Sequence, residues 1–206
     1  VGQQTAETRG IVAFDLDGTL LCGKTVCELL AEPLGRSSEM GRFEALSSRR
    51  DIAASRVEMA KWYRGVTDHD LCAPLADATW NPGAREAIAL LQASGMEVAI
   101  ASITWRFAVE HLAGPLGVSN VLGTDLGQDD DIGHVWPRDK GRWLRSLAKE
   151  LRVNRRCVAA VGDSINDRYL LSAASLRFFV GTGSPPNMHG LRVRNTLGMS
   201  EIAREI

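Results

Sequence analysis

Asp15 and Asp17 stand two residues apart in the run Asp15-Leu16-Asp17-Gly18-Thr19. In extended backbone that spacing turns both carboxylates toward one side. Two adjacent acids repel and shift each other's titration unless a cation or a proton relieves them. A carboxylate beside Mg²⁺ is a competent nucleophile toward phosphorus. A second acid can then protonate a leaving oxygen and later deprotonate water. Asp and Gly also form turns, so this pair alone reads equally well as a turn that ends a strand.

Three further clusters add matching chemistry. Ser102, with Ile103 and Thr104 after it, stands where a helix is expected to begin; a hydroxyl with free backbone N–H groups there makes a seat for phosphate. Ser102 or Thr104 would serve as well as a simple helix cap. Lys140 opens an expected helix near Asp139. Carboxylates gathered around a phosphate leave an excess of negative charge that one divalent ion does not cancel, so a fixed cation is needed. The fourth cluster is Gly162-Asp163-Ser164-Ile165-Asn166-Asp167. Gly162 permits a tight turn and Asp163 can face a metal, while Asp167, four residues on, returns to the same face of a helix. Mg²⁺ takes a few carboxylate and carbonyl oxygens, keeping places for water and phosphate.

These clusters sit at the ends of expected strands. The apolar runs Ile11–Phe14, Val98–Ala101, Val158–Val161 and Phe178–Val180 read as buried strands. Helical patterns cover 83–94 and 139–151, the first opened by Pro82 and stopped by Gly95. Buried strands alternating with helices predict an α/β fold, a Rossmann-like parallel sheet with helices on both faces. Ligands in such sheets bind at the carboxyl ends of the strands. Residues 20–80 carry helical patterns at Val26–Leu34 and Ile52–Tyr63 without a convincing strand. They are expected to form a small helical cap inserted after the first strand, with 10–19 and 81–206 as the core and 1–9 as a loose tail. Asp129-Asp130-Asp131 reads as a solvated loop tip.

Composition narrows the partners. In 206 residues, 45% are apolar, 24% are charged and the formal net charge is -1. No basic excess favours nucleic acid, and no run is long and apolar enough for a membrane span or shaped like a signal peptide. Cys22, Cys27, Cys72 and Cys157 lack metal-ligand spacing and are expected to stay reduced in a cytoplasmic protein, a monomer or homodimer.

Taken together, the four motifs resemble the haloacid dehalogenase superfamily, in its phosphoserine phosphatase-like branch, over nearly all of residues 11–206. The resemblance implies a Mg²⁺-dependent phosphatase for a small-molecule phosphate ester. Asp15 matches the nucleophile, and Asp17 the general acid/base whose backbone carbonyl also ligates the metal. Ser102, with Ile103, matches the phosphate-binding position, and Lys140 the charge-balancing lysine, followed by Gly141 as in the family. Asp163 matches the metal ligand, and Asn166 and Asp167 match residues that support metal and substrate. Arg56 matches a cap arginine that holds a substrate carboxylate.

Two departures bear on substrate. The phosphoserine phosphatases carry a Glu at the position of Lys24, and their Ser-Gly-Gly is here Ser102-Ile103-Thr104. Arg42, Arg49, Arg50, Arg56, Lys61 and Arg64 also lie in the cap segment, most of them expected on solvated helix faces; with one or two turned inward beside Lys24, an acid or sugar phosphate is expected to be preferred over phosphoserine. Trp62, Trp80, Trp105, Trp136 and Trp143 are expected to be packing residues, with Trp105, near Ser102, the candidate for a binding platform. A phosphotransferase or mutase would share every motif. A dehalogenase would need neither Asp17 nor Asp163, and a catalytically silent module would be expected to lack one of the acids.

Overall fold

The computed structural model describes residues 8–127, 131–182, 192–193 and 198–206. In chain order the elements are β1 (Gly10–Phe14), β2 (Leu21–Cys22), α1 (Val26–Ala31), α2 (Ser37–Glu44), α3 (Arg49–Tyr63) and α4 (Asp68–Cys72). Then come β3 (Thr79–Trp80), α5 (Ala84–Ala93), β4 (Met96–Trp105), α6 (Arg106–Ala113), β5 (Asn120–Leu126) and β6 (Ile132–Gly133). The chain closes with α7 (Pro137–Glu150), β7 (Val158–Gly162), α8 (Arg168–Ala173), β8 (Leu176–Phe179), β9 (Arg192–Val193) and α9 (Met199–Glu205). Most of the expected tail and Asp129-Asp130 lie outside the described residues, while Asp131 is exposed.

The main sheet runs β6-β5-β4-β1-β7-β8-β9 and is parallel except where β6 meets β5. Every residue of β1 and of β7 is buried, as expected for strands covered on both faces. Alternation along β1 assigns those faces. Val12 and Phe14 join the cluster that holds Ala87, Ile88 and Leu91 of α5 with Ile202 of α9. Ile11 and Ala13 join Leu144 and Leu147 of α7 with Leu170 and Leu171 of α8. The α/β expectation therefore holds, with helices on both sides of the sheet.

Register explains how distant residues converge. Phe14 pairs with Ile100 on one side and with Val161 on the other. Asp15, Ser102 and Asp163 therefore leave three adjacent strands at almost one level. β1 lies between β4 and β7 in the sheet, and the chain builds outward from it first through β4 to β6 and then through β7 to β9, so the order of connection reverses there and a crevice opens beyond the strand ends.

Two differences from the sequence reading have physical causes. The strand over Val98–Ala101 continues through Trp105, with a register shift between Ala101 and Trp105, and α6 starts only at Arg106. Ser102 and Thr104 are thus strand-end residues, not a helix start. Segment 20–80 holds α1 to α4 but also β2 and β3, which pair antiparallel through Leu21–Trp80 and Cys22–Thr79. Two-residue strands carry no periodicity to read. Asn81 fixes this strand pair to the turn after β1, its backbone N–H donating to Leu20 O at 2.8 Å and its side-chain amide to Thr19 O at 2.6 Å.

Candidate active site

Each acid is held by an identifiable local structure. Asp15 follows β1, and its N–H donates to Val161 O at 2.9 Å, so the neighbouring strand fixes its backbone. The turn after it closes through N–H groups of Thr19, Leu20 and Leu21, all donating to Leu16 O. Gly18 takes φ of 83°, and a Cβ there would stand 2.3 Å from Asp163 Oδ2. Only glycine supplies both that conformation and that clearance. Thr19 Oγ1 then donates to Asp163 Oδ1 at 3.2 Å.

Asp17 points toward α1. Its Oδ1 accepts from Val26 N–H at 2.8 Å, at the start of α1. Thr25 and Glu28 close a capping box around that start, at 3.3 and 2.6 Å. Burial pushes the Asp17 carboxyl up to about 6, partly opposed by the Val26 N–H. Its other oxygen is left to carry a proton.

Lys140 is 1% exposed on α7. Its Nζ donates to Asp15 Oδ1 at 2.5 Å and to Asp167 Oδ1 at 2.7 Å. Burial opposes its charge, but Asp15 and Asp167 together outweigh that and hold the ammonium above its ordinary range. Gly141 makes the placement possible, since a Cβ there would lie 2.3 Å from Tyr169 O on α8. Asp167 Oδ2 accepts from Asp163 N–H, Ser164 N–H and Ser164 Oγ at 3.2, 3.1 and 2.9 Å. Asp167 therefore acts as a bracket for Lys140 and for the turn that presents Asp163.

Asp15, Asp163 and Asp167 each offer a carboxylate oxygen within 4.8 Å of the others. Burial, then Asp167, raise the Asp15 carboxyl despite Lys140, and burial and Asp167 raise Asp163 as well. A surplus of hard oxygen donors with too little positive charge suits a divalent cation such as Mg²⁺. Since both oxygens of Asp167 are engaged, Asp15 and Asp163 are the side chains best able to face the ion.

A cavity of about 370 Å³ opens over Asp15, Asp17, Ser102 and Lys140. Ile103, Ser164 and Asn166 also line it. Ser102 Oγ accepts from Thr104 N–H at 3.2 Å, which leaves its own proton to donate into the cavity.

Most cations of segment 20–80 lie on exposed faces, as expected, and Lys24 does not turn inward. Lys24 is exposed and pairs with Glu32 at 2.7 Å. Arg42 pairs with Glu58 at 2.9 Å, Arg49 lies over the Trp136 ring, and Arg50, Lys61 and Arg64 are exposed. Arg56 alone of this set reaches the cavity wall. It donates to Ile103 O at 2.9 Å and Val135 O at 3.1 Å, and it meets His134 Nδ1 at 3.2 Å. These contacts tie α3 to the core and use the guanidinium on backbone carbonyls. Trp105 is 1% exposed and packs edge-on against Tyr63, so it belongs to the core instead of forming a platform.

Sequence reasoning missed most of the cavity wall supplied by α2, α3 and the residues between them: Met40, Phe43, Leu46, Ile52 and Met59. Ile52, Arg56 and Met59 recur at helical spacing, which marks one face without saying whether it meets core or ligand. It also missed Thr25, although Thr25-x-x-Glu28 is a capping-box signature.

Comparisons with known proteins agree with this fold. A family model described as haloacid dehalogenase-like hydrolase matches residues 12–172. A phosphoserine phosphatase from Idiomarina loihiensis is 26% identical over 176 residues, 81% of this chain and 80% of that protein. A solved phospho-aspartyl intermediate analogue of phosphoserine phosphatase superposes with a TM-score of 0.69 at 23% identity, covering 84% of this chain and 86% of that one. A HAD family hydrolase from Salmonella enterica serovar Typhi reaches 0.80 at 21% identity, covering 97% and 72%. At such identities the structural likeness speaks for the fold alone.

Proposed function

We propose, for this member of the haloacid dehalogenase-like hydrolase family with its similarity to phosphoserine phosphatases, a Mg²⁺-dependent phosphatase that works through a phospho-aspartate on Asp15. It is a phosphoric monoester hydrolase. The observation that carries the finer reading is the buried Asp15–Lys140–Asp167 array at the mouth of the crevice. A bound Mg²⁺ would be held by Asp15 and Asp163, with the backbone carbonyl of Asp17, and would neutralise phosphate charge as it develops.

The chain's own residues divide the work. Lys140 and the Ser102 hydroxyl seat the phosphoryl oxygens, with the backbone at Ile103 beside them and Asn166 at the rim. Asp15, oriented by Lys140 through Oδ1, attacks phosphorus with its other oxygen. The bond from phosphorus to the leaving oxygen breaks as Asp17 delivers its proton to that oxygen. Asp17 then takes a proton from water. The resulting hydroxide attacks phosphorus, phosphate departs and the Asp15 carboxylate is restored. We read α1 to α4 as a cap over this chemistry, which would exclude bulk water and choose the alcohol. The substrate we propose is a small phosphate monoester other than phosphoserine, because the expected acid at position 24 is an outward-facing lysine.

Hydrolysis of p-nitrophenyl phosphate tests the reading. Turnover should require Mg²⁺, stop with EDTA and fall by at least about 10³-fold in Asp15→Asn. Activity that survived both treatments would exclude this mechanism.

A further inference from the structure

Resting on the phosphatase reading above, we infer that Thr124 is a positioning residue for the phosphate seat, acting through the Ile103–Thr104 peptide on the Ser102 hydroxyl. The ladder between β4 and β5 pairs Ala101 with Leu122, and its next pair is Trp105 with Thr124. An advance of four residues on β4 thus matches two on β5, and Ser102, Ile103 and Thr104 arch out of that ladder. On the other side β1 pairs with β4 only as far as Ile100. All three arch residues line the cavity with Asp15 and Lys140. An arch of this kind frees backbone groups from the sheet, and each needs another partner.

Thr124 supplies such a partner from the sheet itself. It is 1% exposed, and its Oγ1 donates to Ile103 O at 2.8 Å while accepting from Val135 N–H at 3.2 Å. Gly123 lets β5 pass this close to the end of the arch, since a Cβ there would lie 2.5 Å from Arg106 Cα. The Ile103–Thr104 peptide is trans, so its carbonyl and its N–H point in opposite directions. Holding Ile103 O toward β5 therefore turns Thr104 N–H the other way, where it donates to Ser102 Oγ at 3.2 Å. That bond occupies a lone pair of Ser102 and leaves the hydroxyl proton for a phosphoryl oxygen. Arg56 also donates to Ile103 O, at 2.9 Å, but from α3. The hold from Thr124 does not depend on where α3 stands.

The test is a double-mutant cycle of Thr124→Val and Ser102→Ala on p-nitrophenyl phosphate with Mg²⁺, at a temperature where circular dichroism shows each variant folded. Thr124→Val should lower kcat/KM roughly tenfold and Ser102→Ala roughly a hundredfold. In the Ser102→Ala background the valine should cost less than about twofold, because both changes remove the same oriented hydroxyl. Inorganic phosphate, as a competitive inhibitor, should bind Thr124→Val about tenfold more weakly, in step with the loss of kcat/KM. Thr124→Ser keeps the donor and should return to within about threefold of the wild type. Should Thr124→Val not fold, Thr124→Cys, with its weaker S–H donor, takes its place in the cycle. Equal losses in both backgrounds, full activity in the folded variant, or no rescue by serine overturns this inference and leaves the phosphatase reading standing. Failure of the wild-type chain to hydrolyse the ester overturns both.

Discussion

Lys140 Nζ lies 2.5 Å from Asp15 Oδ1, with both side chains withdrawn from solvent. An ammonium so deep is held by its partners, because Asp15 and Asp167 supply the charge and the acceptors that burial removes. The pair joins two distant parts of the chain, the end of β1 and the first turn of α7, at the point where chemistry is proposed.

Removing one member of that array should cost far more than a surface charge does. Lys140→Met is expected to lose about 3–5 kcal/mol of stability by urea unfolding, as for a buried ion pair broken on one side. Lys149→Ala, near the end of the same helix, should stay within about 0.5 kcal/mol. Equal effects would mean that the buried array contributes nothing special.

Divalent metal should stabilise the folded chain independently of turnover. Saturating Mg²⁺ should raise the Tm, since a ligand at about a hundred times its Kd adds about 2.7 kcal/mol. Gly18→Ala should blunt that rise, because its Cβ would meet Asp163 Oδ2 at 2.3 Å in a backbone of φ 83°. A full metal response in the variant would place the ion elsewhere.

Cys27 should be inert although it lines the cavity. Burial pushes its thiol up to about 11, with Thr104 as a hydrogen-bond partner at 3.5 Å. The sign is simple: the thiolate reacts, and at pH 8 a thiol of this kind is roughly a thousandfold depleted in it. Cys157 is exposed. A brief treatment with a disulfide reagent should label Cys157, spare Cys27 and leave activity intact. Labelling of Cys27 at the same rate would contradict the burial argument.

Arg56 should behave as a clamp between cap and core. Arg56→Met is expected to cost about 2–3 kcal/mol, since charge-assisted hydrogen bonds to Ile103 O and Val135 O are lost. Relative kcat/KM for hexyl phosphate and 3-phosphoglycerate should stay constant. A loss confined to the carboxylate-bearing ester would instead make Arg56 a reader of substrate.

The core and its acids were legible in the sequence because they obey short-range rules. The runs at Ile11–Phe14 and Val158–Val161 are continuous and apolar, and they become the paired central strands. Asp15 and Asp163 follow those runs directly, so strand position alone brings them together. The continuation of β4 through Ser102 to Trp105 was hidden, because Ile103-Thr104 before α6 looks like a helix start while pairing with β5 decides otherwise. The direction of Lys24 was hidden too. Its partner Glu32 lies eight residues away, beyond α1, and only the folded cap shows that the two meet outside. Leu46 and Ile52 read as ordinary apolar residues until the cap faces the strand ends.

The most direct measurement is acid quenching of the enzyme during turnover of acetyl phosphate with Mg²⁺, followed by peptide mass spectrometry. The account predicts a hydroxylamine-labile acyl phosphate on the peptide that contains Asp15, absent in Asp15→Asn. Steady turnover with no labelled carboxylate, or with the label on a different residue, would contradict it.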